Sequence, residues 1–194
     1  MSKVLLVVDA QRSFLEREMW RASSDPEVAR PIGRLVDHFR DRNAPVVWVL
    51  HTEPGTGTVF DPERGLVEPM PGLVPAEGEP VLTKTAHSAF TGTDLARMLT
   101  IRGLREVTVC GVRTEQCCET TTRVGSELGF DMTFALDATA TEPIEAPDAP
   151  KGRPLAELLA DPATLRPEDV LTRTAYVLAR RFAAVRTVDR IVGA

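Results

Sequence analysis

The sequence predicts an α/β fold of three layers, in which a mostly parallel sheet of about six strands lies between helices in a Rossmann-like arrangement. Short apolar stretches rich in β-branched residues alternate along the chain with segments whose apolar residues recur at helical spacing. The chain has 194 residues, a length that suits one domain with a full core. We therefore expect a single domain over residues 1–194.

Six stretches have the composition of strands. The first of them, KVLLVV, is apolar enough to be buried on both faces of a sheet. The expected strands cover residues 3–8, 45–51, 81–84, 106–112, 131–136 and 184–188.

Helical segments separate most of these strands. The first is expected to begin near Asp25, a capping residue, with Pro26 in the first helical position, although Pro31 can delay the regular helix by a turn. Thr91 and Asp94 resemble a capping box at the start of the second helix. Two further helices are expected over residues 114–129 and 168–183.

Two segments have little periodicity. Residues 52–80 are rich in Gly, Pro and Glu, and residues 142–170 are rich in Pro, Ala and Glu, with one short helix expected at 155–159. Long loops in compact domains are often functional. The first segment either closes over a ligand or is a surface excursion, and the second is a lid, an oligomer contact or a mobile excursion.

The composition argues against several classes of protein. A net charge of −5 disfavours a nucleic-acid binder, which normally has a basic patch. No apolar run approaches the roughly 20 residues of a membrane span. The first apolar run is too short for a signal peptide, and Asp9 interrupts it. We therefore expect a cytoplasmic protein with neither a nucleic-acid nor a membrane partner.

The three cysteines, Cys110, Cys117 and Cys118, do not form a disulfide or metal pattern. Their number is odd, a reducing compartment disfavours disulfides, and the sequence has no CxxC pair and no Cys/His cluster with zinc spacing. His51 and His87 have no partner in an HxH or DxH pattern, although His51 ends a strand and could line a pocket. We expect no metal and no cofactor.

Ligands of parallel sheets bind beyond the carboxyl ends of the strands. Three reactive side chains are expected there: Asp9 and Lys84 at the ends of strands one and three, and Cys117 just past the end of strand four. A carboxylate, an ammonium and a thiol together favour acyl transfer by a thiolate whose pKa is lowered by a neighbouring cation or base. A helix N-terminus could hold the developing oxyanion. Each residue also has a plainer explanation, because strand ends are often polar and a cysteine early in a helix usually packs. Cys110 and Cys118 are expected to be such packing residues.

Three motifs in combination resemble the isochorismatase-like cysteine hydrolase superfamily. They are VVDAQRSF, KTAHSAFTGTDL and VCGVRTEQCCETTTRVGSELGF with the following LDATAT. The resemblance covers residues 3–141 and resumes at LTRTAYVLARRFAAVRTVDRIV, residues 171–192. Members include nicotinamidases, N-carbamoylsarcosine amidase, ureidoacrylate amidohydrolases and isochorismatases. The resemblance therefore implies a hydrolase of small molecules that forms a homo-oligomer, a dimer or a tetramer.

The resemblance also implies roles for individual residues. Asp9 is similar to the family's general base, Lys84 to its stabilising cation and Cys117 to its nucleophile. A cis peptide bond is implied between Val112 and Arg113, with an oxyanion hole formed by the backbone N–H groups of Arg113 and Cys117.

A substrate pocket is expected beside these groups. Phe14 matches the aromatic residue that contacts substrate in several members. Arg113 stands where many members have a small residue, so its side chain either favours an anionic substrate or points to solvent. The residues expected to contact substrate are Phe14, His51, Phe60, Phe90 and Arg113.

One departure from the family bears on the substrate. The stretch LHTEPGTGTVFDPERG offers His51 and Glu53, but it lacks the Asp-x-His pair and the further His that bind a metal in nicotinamidases. Nicotinamidase activity is therefore less favoured.

The leading hypothesis is a cysteine-dependent hydrolase that cleaves an amide or related C–N bond through a thioester on Cys117. The alternatives are an isochorismatase-type hydrolase of a vinyl ether and a catalytically idle relative that acts as a binding protein. The complete set of Asp9, Lys84 and Cys117 favours the first, because an idle copy has no chemical reason to keep all three.

Overall fold

A computed structural model describes residues 2–193, and within them six strands form one sheet in which every pairing is parallel. The strands are β1 (Lys3–Val8), β2 (Val46–His51), β3 (Val81–Lys84), β4 (Glu106–Val112), β5 (Asp131–Ala140) and β6 (Ala184–Arg186). Their order is β3-β2-β1-β4-β5-β6, which reverses direction between β1 and β4. The predicted α/β class with a parallel sheet is confirmed.

Helices cover both faces of this sheet. They are α1 (Ala29–Asp41), α2 (Leu95–Ile101), α3 (Glu119–Glu127), α4 (Leu155–Ala160), α5 (Pro167–Leu178) and α6 (Val188–Val192). One core cluster contains Phe39 of α1 and Val188 of α6. The other contains Leu99 of α2 and Leu178 of α5, together with Cys118 just before α3. The sheet therefore separates two cores, as a three-layer fold requires.

Strand β1 runs through the middle of the sheet. Its side chains alternate between the two cores, with Leu5 and Val7 in one and Val4, Leu6 and Val8 in the other, and all five are at most 1% exposed. A strand buried on both faces strongly favours apolar side chains, which explains the unbroken apolar run from Val4 to Val8. The position of the residue that follows β1 is fixed by this burial.

The first two helices begin later than predicted. Asp25 accepts a hydrogen bond from the backbone N–H of Glu27 at 2.9 Å and so forms a turn, and α1 begins only at Ala29. Pro31 then lies in the first turn, where its missing N–H leaves no acceptor unpaired.

The predicted capping box at the start of α2 is also wrong. The side chain of Asp94 accepts no capping hydrogen bond, and the hydroxyl of Thr93 instead accepts from the backbone N–H of Leu95 at 3.3 Å.

The C-terminal third differs most from the prediction. Strand β5 was predicted to end at residue 136 but continues to Ala140. A bulge between Phe134 and Thr139 shifts its register against β4, and pairing with β4 then resumes. Helix α5 ends at Leu178, five residues before the predicted end, and α6 was not predicted. The short helix predicted at 155–159 is confirmed as α4.

Candidate active site

Asp9 lies directly after β1, where the strand order reverses. Its backbone has a φ of 50°, and its N–H donates to the carbonyl of Val49 at 2.8 Å. A positive φ is uncommon for a residue other than glycine, but aspartate tolerates it better than most. The turn leaves the carboxylate fully buried at the carboxyl edge of the sheet.

Lys84 is the last residue of β3 and pairs in register with His51 of β2. Its ammonium Nζ donates to Oδ2 of Asp9 at 2.6 Å and lies 3.4 Å from Sγ of Cys117. Because β2 separates β3 from β1, the Lys84 side chain crosses the end of β2 to reach Asp9. Both side chains are fully buried, so each charge depends on the other for compensation.

Gly111 allows β4 to approach β1 closely beside Asp9. Its φ is 130°, and a Cβ at this position would lie 1.8 Å from the carbonyl oxygen of Val8. Only glycine fits such an approach. The turn after β4 is therefore held against the end of β1.

Cys117 lies in that turn. The peptide bond between Val112 and Arg113 is cis, and a π-helical turn over Thr114–Cys118 leads into α3. The backbone carbonyl of Arg113 accepts from the N–H groups of Gln116 and Cys118, at 3.3 Å and 3.2 Å. The first turn of a helix has N–H groups without intrahelical acceptors, which is a favourable setting for an anion.

The electrostatics of the site differ from the expectation. Burial raises the pKa of the Asp9 carboxyl, and the ammonium of Lys84 only partly opposes this. Burial and the negative charge of Asp9 raise the pKa of the Cys117 thiol, again with partial opposition from Lys84. The predicted lowering of the thiol pKa is therefore wrong. The Asp9–Lys84 pair is close to neutral as a whole and provides little net charge to stabilise a thiolate.

The other two cysteines are packing residues, as predicted. Cys110 and Cys118 have no exposed surface, whereas Cys117 is 6% exposed. Burial raises the pKa of Cys110 and of Cys118, as it does for Cys117.

Three of the five residues expected to contact substrate form an aromatic group. The rings of Phe14 and Phe60 meet edge to face with centroids 5.1 Å apart, and Phe60 meets His51 in the same way at 5.5 Å. Phe60 belongs to the 52–80 segment, which also hydrogen-bonds to the chain after β1 through Met70 N–H and the Ala10 carbonyl at 2.9 Å. This segment therefore packs along the DAQRSF motif.

The other two lie elsewhere. Phe90 stacks on Phe130 with centroids 5.5 Å apart, within the core beneath α2 and α3. The guanidinium of Arg113 is 2.9 Å from a carboxylate oxygen of Glu115 and 3.3 Å from one of Glu142, and its side chain is only 12% exposed. It neither points to solvent nor offers an uncompensated positive charge to an anionic substrate.

Two residues near the site were not predicted. Nδ1 of His87 lies 3.6 Å from Sγ of Cys117, although His87 is exposed and its loop gives no periodic signal. Gln11 is fully buried, and its side chain accepts from the N–H of His51 at 2.7 Å and donates to the carbonyl of His51 at 3.0 Å. Gln11 thus joins the ends of β1 and β2. The Asp-x-Gln motif is the sequence feature that could have identified it.

Within residues 2–193, no group of three or more His, Cys, Asp or Glu side chains is arranged to hold a metal ion. Nε2 of His51 is instead 3.3 Å from Oε1 of Glu53. None of the helices in the described part of the chain is long and apolar enough to cross a membrane.

Comparison with known sequences identifies relatives over most of the chain. The model of the isochorismatase domain matches residues 3–150. The secreted isochorismatase effector Isc1 of Verticillium dahliae is 34% identical over 147 residues, which are 75% of this chain and 76% of the relative. Nicotinamidase 3 of Arabidopsis thaliana is 32% identical over 71% of this chain and 72% of its own. A streptothricin hydrolase of Streptomyces noursei is 35% identical over 74% of this chain but 51% of its own.

Solved structures have the same fold. An isochorismatase from Pseudomonas putida KT2440 is 27% identical, with a TM-score of 0.83 over 97% of this chain and 89% of its own. The N-carbamoylsarcosine amidase from Thermoplasma acidophilum has a TM-score of 0.70 at 22% identity, over 97% of this chain and 98% of its own, and this likeness concerns the fold alone. From the matched domain and these relatives, the chain belongs to the isochorismatase family of hydrolases.

Proposed function

We propose that this hydrolase cleaves an amide or related C–N bond of a small molecule through a thioester on Cys117. The contact of one ammonium with both a carboxylate and a thiol is the observation that supports this most strongly. Nζ of Lys84 is 2.6 Å from Asp9 and 3.4 Å from Cys117, and all three side chains are buried. A buried thiol with a base and a cation beside it is the arrangement that nucleophilic catalysis needs.

Acylation begins from a protonated thiol. Because the pKa of Cys117 is raised, Asp9 accepts the thiol proton as the sulfur attacks the substrate carbonyl. The raised pKa of Asp9 makes it a stronger base than an ordinary carboxylate. Lys84 keeps Asp9 in place and limits the build-up of negative charge around the two groups.

The tetrahedral intermediate has an oxyanion that needs hydrogen-bond donors. The backbone N–H groups of Arg113 and Cys117 are the proposed donors, since they belong to the turn that starts the helix after β4. Asp9 then returns the proton to the departing nitrogen, the C–N bond breaks, and the acyl group remains on Sγ. Water hydrolyses this thioester and regenerates the thiol.

The substrate proposal rests on the aromatic group and on the relatives. Phe14, His51 and Phe60 form a largely apolar wall suited to a flat or apolar substituent. The nicotinamidase acts on an amide, as its name states. The other candidate, hydrolysis of a vinyl ether, has support in the family name but needs no covalent sulfur chemistry.

A substrate screen tests the proposal. Small primary amides, carbamoyl compounds and lactams are offered to the wild type and to Cys117→Ala, with Cys118→Ser as the matched control for losing a neighbouring thiol. We expect ammonia or acid release that is lost in Cys117→Ala and kept in Cys118→Ser. Turnover of an amide by Cys117→Ala would contradict covalent catalysis. Turnover of isochorismate alone, unaffected by Cys117→Ala, would favour the vinyl-ether reaction.

We also propose that the chain acts as one domain and assembles into a dimer or tetramer. Large apolar side chains on α5 and in the 142–170 segment are exposed, Tyr176 at 80% and Leu165 at 53%. Burial of these side chains at a subunit interface would remove their apolar surface from water. Light scattering in solution would show a mass of two or four chains, and a monomer mass would contradict the proposal.

A further inference from the structure

His87 contacts the proposed nucleophile but has no part in the acylation described above. Its Nδ1 is 3.6 Å from Sγ of Cys117, within reach of a hydrogen bond to sulfur. The residue is exposed, whereas Asp9 is fully buried. The sulfur therefore has two neighbouring bases, one in the interior and one at the surface.

We infer that His87 is the general base of deacylation: it removes a proton from the water that hydrolyses the thioester on Cys117. This inference rests on the proposed thioester mechanism and adds a catalytic residue to it. It divides the two half-reactions between two bases, with Asp9 serving acylation and His87 serving hydrolysis.

The positions of the two bases support this division. The hydrolytic water enters from solvent after the leaving group has departed, and His87 is the base beside Sγ that solvent reaches. Asp9 is fully buried, and its Oδ2 is engaged by Lys84 at 2.6 Å. An imidazole is also an effective base toward water at neutral pH, and one within reach of the reacting sulfur matches the usual pairing of a cysteine with a histidine.

The proton transfers balance over the cycle. Asp9 takes the thiol proton and returns it to the leaving nitrogen, so the acyl-enzyme forms with Asp9 ionised and His87 neutral. His87 then takes a proton from water, and the hydroxide adds to the thioester carbonyl. When the C–S bond breaks, the sulfur leaves as a thiolate and receives the proton from Nδ1 of His87 along the 3.6 Å contact. The acid product departs, and Cys117, Asp9 and His87 are restored.

A chromogenic ester isolates this step. p-Nitrophenyl acetate transfers its acetyl group to a thiol, and its phenolate leaves without needing a proton, so only acetyl-enzyme decay requires the inferred base. The acetyl-enzyme is formed, freed of reagent by rapid gel filtration, and followed by intact-protein mass spectrometry. The variants are His87→Gln and His87→Ala, with His38→Gln on α1 as the matched control. Circular dichroism checks that each variant is folded.

We expect Cys117 to be acetylated at a similar rate in all of these proteins. Decay of the acetyl-enzyme should slow about 100-fold or more in both His87 variants and be unchanged in His38→Gln, since general base catalysis contributes a factor of about 10² to 10⁴. Added imidazole should restore decay in His87→Ala. Unchanged decay in both His87 variants would overturn the inference and leave the thioester mechanism standing. Absence of acetyl-Cys117 from the wild type and from both His87 variants alike would overturn the inference and the thioester mechanism together.

Discussion

The ion pair between Asp9 and Lys84 can be tested by a double-mutant cycle. Nζ and Oδ2 are 2.6 Å apart, a separation at which an effective dielectric constant of about 20 gives an attraction of about 6 kcal/mol. Desolvation of both groups offsets much of this, because neither side chain is exposed. Lys84→Met removes the cation and leaves the carboxylate buried without a partner.

The single variant should therefore lose about 3–5 kcal/mol of unfolding free energy. For a chain of this size, each kcal/mol lowers Tm by roughly 2–4 °C, so a fall of about 6–20 °C is expected. The double variant Asp9→Asn/Lys84→Met should be less destabilised than Lys84→Met, because the uncompensated charge is gone. Urea denaturation of the wild type, both single variants and the double variant gives the coupling energy, which we expect to be at least about 2 kcal/mol.

The pH dependence of the stability of Lys84→Met is a second test of the same ion pair. The pKa of Asp9 is raised in the folded protein even with Lys84 present, and loss of the cation raises it further. A carboxyl whose folded pKa exceeds its unfolded pKa destabilises the fold above the folded pKa, and protonation relieves this as pH falls. Lys84→Met should therefore recover stability relative to the wild type as pH is lowered from neutral. Additive single-variant effects together with a pH-independent difference would refute the reasoning.

Three other predictions concern activity and stability. Asp9 must be ionised to accept the thiol proton. We therefore expect kcat/KM to rise with pH through an apparent pKa above the ordinary carboxyl value of about 4, and an apparent pKa at or below that value would contradict this. Gly111→Ala places a Cβ 1.8 Å from the Val8 carbonyl oxygen and should lower Tm by at least roughly 4 °C in a thermal melt, whereas an unchanged melt would disprove the close approach. Glu119→Ala leaves the buried hydroxyl of Thr174 without its carboxylate acceptor, which is 3.0 Å away in the wild type. The unfolding free energy measured by urea denaturation should fall by about 1–3 kcal/mol, and an unchanged denaturation midpoint would contradict this.

The sheet and its carboxyl edge could be predicted because their signals are local and strong. After Lys3, the run Val4–Val8 has no polar residue, as expected for a central strand buried on both faces. Once the strands are parallel, the residues at their carboxyl ends share one edge, although Asp9, Lys84 and Cys117 are far apart in sequence. The structure has these three side chains in contact.

The protonation state of Cys117 could not be predicted in the same way. Residue types alone suggest that a lysine beside a thiol lowers the thiol pKa. The direction is decided by burial and by the position of Asp9 relative to Lys84, and both raise the pKa here. Such a balance depends on distances that the sequence does not contain.

Short or irregular segments were missed for a related reason. Helix α6 has five residues, too few for a periodic pattern, and its first N–H is capped by the carboxylate of Asp137 at 2.7 Å, a contact between distant parts of the chain. Asp137 itself lies on the bulge of β5 and does not end that strand. The proximity of His87 to Cys117 likewise depends on the path of an irregular loop.

The most direct test of the central claim is to locate the acyl group during turnover of an amide found in the screen. The reaction is quenched in acid within milliseconds, and the tryptic peptide TEQCCETTTR is fragmented to locate the adduct, with Cys118→Ser as a second sample. We predict an acyl adduct on Cys117 that hydroxylamine removes and that also forms in Cys118→Ser. An unmodified Cys117 during sustained turnover, or an adduct on Cys118 alone, would contradict the claim.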